Sequence, residues 1–143
     1  MTTATIETEI ADVLADARSQ GFNVRSIRTI ASHRVAKAAG RPVRTPKGEE
    51  TRQYLDALDK LARGERVGGV ASAILARLVE RLEALLRQQA ACRLRREIDA
   101  LDRELDATGR RRDGDPLFER ALELYAEWAW LAYPEPAPER RTA

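Results

Sequence analysis

LVERLEALLRQQAACRLRREIDALDREL, residues 78–105, decides the fold. Leu78, Leu82, Leu86, Ala90, Leu94, Ile98, Leu101 and Leu105 recur four residues apart, then three or four apart at the end, which lines one face of an α-helix. The pattern predicts a helix over Ser72–Thr108, on the order of 55 Å long at the α-helical rise. Its seam contains a stutter rather than perfect heptads, so it suits a coiled coil or one arm of an antiparallel hairpin.

The same periodicity continues on both sides of this helix. Ile6, Ile10, Val13, Leu14 and Ala17 predict a helix over Thr5–Ser19, stopped at Gly21. Asn23 is a good N-cap for a second helix reaching about Ala39, with Val24, Ile27, Ala31, Val35 and Ala38 as its apolar stripe. GRPVRTPKG, residues 40–48, reads as a loop. Tyr54, Leu55, Leu58 and Leu61 predict a third helix over Glu49–Arg63, whose leading acids suit a helix N-terminus. Residues 64–71 read as a flexible joint. After the turn at 110–116, Leu117, Phe118, Leu122, Tyr125, Trp128 and Leu131 predict a last helix over Pro116–Ala132, its surface widened by Trp130 and Tyr133. PEPAPERRTA, residues 134–143, has the composition of a disordered tail. The expected class is all-α: amphipathic helices around a long coiled-coil-like helix, with no sheet. Residues 1–63 form a basic region and 72–133 a scaffold.

Charge is unevenly spread. Residues 17–48 hold eight basic residues and no acidic one, whereas the chain totals only +2, so the remainder sums to −6. Such asymmetry points to a polyanionic partner, of which a phosphate backbone is the usual one. On the second helix Arg25 falls opposite the apolar stripe, in company with Thr29, Ser32, His33 and Ala36. Arg28, Arg34 and Lys37 flank the stripe. The resulting outer face is basic and small, and nothing bulky or acidic obstructs its approach to phosphates. Arg18 precedes this helix, and Arg41, Arg44 and Lys47 extend the surface along the loop.

Other chemistries find little footing. One cysteine, Cys92, and one histidine, His33, make neither a disulfide nor a Cys/His metal cluster. Cys92, beside the long seam, reads as a packing residue, and Trp128, Trp130, Tyr125 and Tyr133 read as core or subunit-interface aromatics. No phosphate-binding glycine loop, paired carboxylates or catalytic triad stands out, so neither an enzyme nor a cofactor is expected. The start, MTTATIETEI, has no basic segment followed by an apolar run, and no stretch approaches the roughly 20 apolar residues of a membrane span. A cytoplasmic location is the simplest expectation.

Residues 9–21, EIADVLADARSQG, align without a gap on residues 97–109, EIDALDRELDATG. This reads either as a degenerate repeat or as two amphipathic helices that each end in glycine.

The stretch EIADVLADARSQGFNVRSIRTIASHR, residues 9–34, resembles the GapR-like nucleoid-associated proteins. The likeness lies in the turn Gly21, Phe22, Asn23, Val24, Arg25, Ser26, Ile27, Arg28 and the basic helix that follows. EETRQYLDAL, residues 49–58, is similar to that family's closing helix. The family's long N-terminal coiled-coil stretch is absent before Ile6, residues 40–48 are inserted or diverged, and the second half is additional. The resemblance implies an all-helical, oligomeric protein, a dimer or tetramer, that encloses duplex DNA in the nucleoid and favours AT-rich or overtwisted sequences.

Residues and resemblance lead to one expectation. Double-stranded DNA is bound with little sequence specificity through Arg18, Arg25, Arg28, Ser32, Arg34, Lys37, Arg41, Arg44 and Lys47, with no small-molecule substrate. The alternative is a non-enzymatic helical interaction module whose basic arm docks an acidic protein.

Overall fold

The computed structural model describes residues 2–68 and 71–133. It contains five helices and, among these residues, no strand: α1 (Thr3–Ser19), α2 (Val24–Ala38), α3 (Glu49–Ala62), α4 (Ser72–Thr108) and α5 (Pro116–Ala132). The fold is all-α, built on the expected long helix. Residues 69 and 70 of the expected joint, and the proline-rich tail, lie outside the described residues.

Local chemistry sets the helix ends. Thr2 caps α1 two residues earlier than its apolar pattern implies, its hydroxyl accepting from the Thr5 amide. Asn23 caps α2, accepting from Ser26 N–H at 3.1 Å. Asp115 caps α5 in the same way, with Pro116 at the first position, where a missing N–H costs nothing. Gly21 and Gly40 end α1 and α2 at φ 85° and 75°, a left-handed conformation that side chains disfavour. In each case the next amide reaches back to close the last turn: Phe22 N–H to the Ala17 carbonyl, Arg41 N–H to the Ala36 carbonyl, both at 3.0 Å.

α4 is the spine on which the other four helices pack. Its first half, through Leu75, Leu78, Val79, Leu82, Leu85 and Leu86, shares one core with Ile6, Ile10, Val13 and Ala17 of α1, Ile27, Ile30 and Ala31 of α2, and Tyr54 and Leu58 of α3. Residues 1–63 therefore share their core with α4. Its second half forms a smaller cluster in which Ala91, Leu94 and Ile98 meet Leu124 and Leu131 of α5, the arm that folds back antiparallel. Val35 of α2 touches both clusters. Cys92 is half-buried against the main core, as a packing residue would be.

Two apolar faces differ from their sequence reading. On α2 the fully enclosed residues are Ile27, Ile30 and Ala31, whereas Val24, Val35 and Ala38 are half-buried. This turns the stripe by roughly 50° from the one centred on Val24, Ile27, Ala31, Val35 and Ala38. On α5 the buried residues are Ala121, Leu124 and Leu131, and Leu122 is 52% exposed.

Candidate nucleic-acid interface

The N-terminal end of α2 is held by a polar network on its α3 side. Asn23 N–H donates to the Tyr54 hydroxyl at 2.9 Å, and the Asn23 side-chain amide donates to Glu50 at 2.9 Å. Tyr54 O–H donates onward to Glu50 at 3.1 Å, and the buried Thr51 and Ser26 hydroxyls bond at 2.9 Å. Burial is the main cause that raises the Tyr54 phenol above its ordinary 10.0, so it remains a neutral donor. Phe22 packs edge-on against the same ring at 5.9 Å. The Gly-Phe-Asn turn that marks the sequence is thus a structural clamp fixing how α2 is presented.

The opposite side of α2 is free. Arg25, Arg28, Thr29 and Ser32 are exposed along it, whereas Lys37, exposed near the end of the helix, lies about 120° round from Arg25. The Thr29 hydroxyl donates to the Arg25 carbonyl at 2.9 Å, leaving Ser32 as the open hydroxyl donor of this face. No acidic residue occupies the first turn of α2. Arg25 there faces the positive end of the helix dipole, an unfavourable placement that a bound anion would relieve.

The basic loop runs alongside this helix. Arg41 leaves from the C-terminal end of α2, while Glu50 and Thr51 at the start of α3 are bonded to Asn23 and Ser26 at its N-terminal end. The loop must therefore travel back the length of α2, about 22 Å for 15 residues. Along it Pro46 is buried and Arg44 and Lys47 are exposed. Arg18, Arg25, Arg28, Lys37, Arg44 and Lys47 are all exposed and form no ion pair among the described residues.

Two expected contact residues are engaged elsewhere. Arg34 points along the buried direction of α2 and pairs with Glu83 of α4 at 3.8 Å. Glu83 also pairs with Arg87 at 3.4 Å, so two half-buried guanidiniums share one carboxylate. Arg41 is tied through Nε and Nη2 to Glu127 of α5, which fastens the start of the loop to the far helix. His33 is half-buried rather than part of the open face.

Beside Ser32 and Ala36 lies a groove of about 340 Å³, floored by Val35, Leu86, Ala90, Leu94 and Leu131. Arg93, Glu97, Arg41 and Glu127 stand at its rim. Arg93 is an additional exposed cation beside the α2 face. Nothing in the local sequence pattern marks it, since its place depends on how α4 crosses beneath α2. Among the described residues no group of acidic, histidine or cysteine side chains could hold a metal, and no helix is long and apolar enough to cross a membrane.

No family model, curated protein or solved structure matches this chain.

Proposed function

We propose that this protein binds duplex DNA through its phosphate backbone, as a non-enzymatic, nucleoid-associated protein of the GapR-like kind. One observation carries the reading. Six exposed cations without carboxylate partners among the described residues belong to α1, α2 and the loop strung back along α2. Arg25 and Arg28, with the Ser32 hydroxyl beside them, are the centre of the contact. Arg18, Lys37, Arg44 and Lys47 extend it. Cations of this kind bind by releasing counterions, which gives affinity with little sequence readout. Preference for AT-rich or overtwisted DNA follows from the resemblance and would be read through duplex shape. The glutamate clamp at Asn23 closes the α3 side to phosphates, so approach comes over Arg25, Arg28 and Ser32.

Fluorescence anisotropy of a labelled duplex, titrated at several salt concentrations, tests this. Six phosphate contacts predict that log affinity falls with log salt at a slope of about −5. Absence of binding at low salt would overturn the proposal and favour an acidic protein as the partner of this face.

A further inference from the structure

Two of the eight cations in residues 17–48, Arg34 and Arg41, are ion-paired among the described residues, and the two pairs differ in kind. Arg34 meets Glu83 at 3.8 Å between two packed helices, with its side chain 35% exposed. Arg41 is 61% exposed, whereas the side chain of its partner Glu127 is only 19% exposed. The carboxylate is therefore set into the molecule, and the guanidinium lies over it, open to solvent. Nε donates to Glu127 Oε1 at 2.6 Å, and Nη2 binds the same oxygen. These two nitrogens form one edge of the guanidinium, the edge with which arginine grips a carboxylate or a phosphate.

The two partners come from different parts of the molecule. Arg41 leads into the loop that carries Arg44 and Lys47, both exposed and without an ion pair among the described residues. Glu127 comes from α5, 86 residues further along, on a helix that packs against the second half of α4. A scaffold carboxylate thus occupies a cation of the contact surface. Phosphate and Glu127 want the same two donors, and one anion excludes the other. We infer that Glu127 is an autoinhibitory group, a built-in competitor that holds Arg41 out of phosphate contact. This inference rests on the proposed binding of duplex DNA, whose strength it would set.

Exchange asks little of the fold. Arg41 is reached from solvent, so a phosphate can approach it without parting any helices. The released carboxylate faces the groove whose rim it shares with Arg93. Arg93 is exposed and without an ion pair among the described residues, so Glu127 keeps a cation on the same rim when Arg41 leaves. The pair of Arg34 and Glu83 bridges α2 and the α4 spine and offers no such exchange.

Salt titrations of duplex binding test the contact. The parent, with Arg41 held, should show the slope of about −5 given by six phosphate contacts. Glu127→Gln should steepen it by about 1 and tighten binding about fivefold at about 0.15 M salt, because a seventh cation is freed. Glu119→Gln removes the same charge from an exposed position of the same helix and should leave the slope at the parent value. Arg41→Ala should also leave it there, and Arg41→Ala combined with Glu127→Gln should bring it back. Arg41→Lys keeps the charge but loses the guanidinium edge, so it should steepen the slope without altering α5, and it carries the test should Glu127→Gln lose its far-UV circular dichroism. The inference is overturned by an unchanged slope in both Glu127→Gln and Arg41→Lys, by an equal gain from Glu119→Gln, or by a gain that survives in the double variant. A flatter slope in Arg41→Ala alone also overturns it, since Arg41 would then already touch DNA. A parent slope near −5 alongside any of these results leaves duplex binding standing and removes the autoinhibition alone. No binding by the parent at low salt removes both.

Discussion

Arg25 and Arg34 stand on the same helix, yet the fold turns them to opposite sides. Arg25 is exposed on the free face, and Arg34 leans over α4 toward Glu83. Alanine at each position should separate affinity from stability. Arg25→Ala should weaken duplex binding and reduce the salt slope by about 1. It should leave urea unfolding within about 0.5 kcal/mol of the parent, as an exposed change does. Arg34→Ala should cost about 1 kcal/mol of stability, the upper range for a partly exposed pair, and leave the salt slope in place. An equal loss of affinity in both variants would put Arg34 on the contact face. The difference between the two arginines was only partly legible. Ile27 and Ala31 belong both to the sequence pattern and to the core, but the pattern that joins them to Val24, Val35 and Ala38 omits Ile30, and with it the direction that Arg34 shares. Asn23, by contrast, was legible as a cap because capping is local: its side chain needs only an amide three residues on.

The α4–α5 hairpin is closed by ionised groups, and its stability should follow pH. Asp102 accepts from the Tyr125 hydroxyl at 2.7 Å and from Arg111 at 3.1 Å. The Tyr125 bond is the main cause holding Asp102 below the ordinary 3.8. Asp115, which caps α5, is lowered chiefly by Arg110, bonded at 3.0 Å. Arg95 lies over the Tyr125 and Trp128 rings at 5.7 and 5.3 Å, adding a cation to the same joint. A carboxylate whose folded value is depressed stabilises above its unfolded value, and that contribution is lost as pH falls through the folded one. The hairpin should therefore loosen below about pH 4, read as a change in tryptophan fluorescence. Asp102→Asn should lower stability at neutral pH and flatten this acid limb. An unchanged acid profile in that variant would remove Asp102 from the account. The acids and arginines concerned are visible in the sequence, but their pairing across the turn is not, because Asp102 meets Tyr125 only when α5 folds back.

For the molecule as a whole, α4 links the basic region to the hairpin. Leu75, Leu78, Val79 and Leu82 complete the core begun by α1, α2 and α3. Residues 1–63 alone would expose that core, and so small a set of helices lacks the burial to offset its chain entropy. That fragment should show little helix by far-UV circular dichroism, while residues 1–108, which include α4, should recover most of it. A well-folded 1–63 fragment would show that the basic region is autonomous. Val35, in contact with both clusters, and the Arg41–Glu127 pair join α2 and its loop to α5, so the outer helix is fastened to the basic face at two points.

The sequence by itself determined the elements: five helices, their glycine and asparagine ends, the long α4, and an acid-free basic window over residues 17–48. These follow from periodicity, capping and charge counts, all of which act within a few residues along the chain. Tertiary structure alone decided which cations stay free and which face of α5 is left open. Arg34 and Arg41 were claimed by Glu83 and Glu127, 49 and 86 residues further along. Leu122, Trp130 and Tyr133 were left outside because Ala121, Leu124 and Leu131 fit the α4 seam. Such choices depend on how helices cross, and crossing is set by packing over the whole molecule rather than by any local pattern.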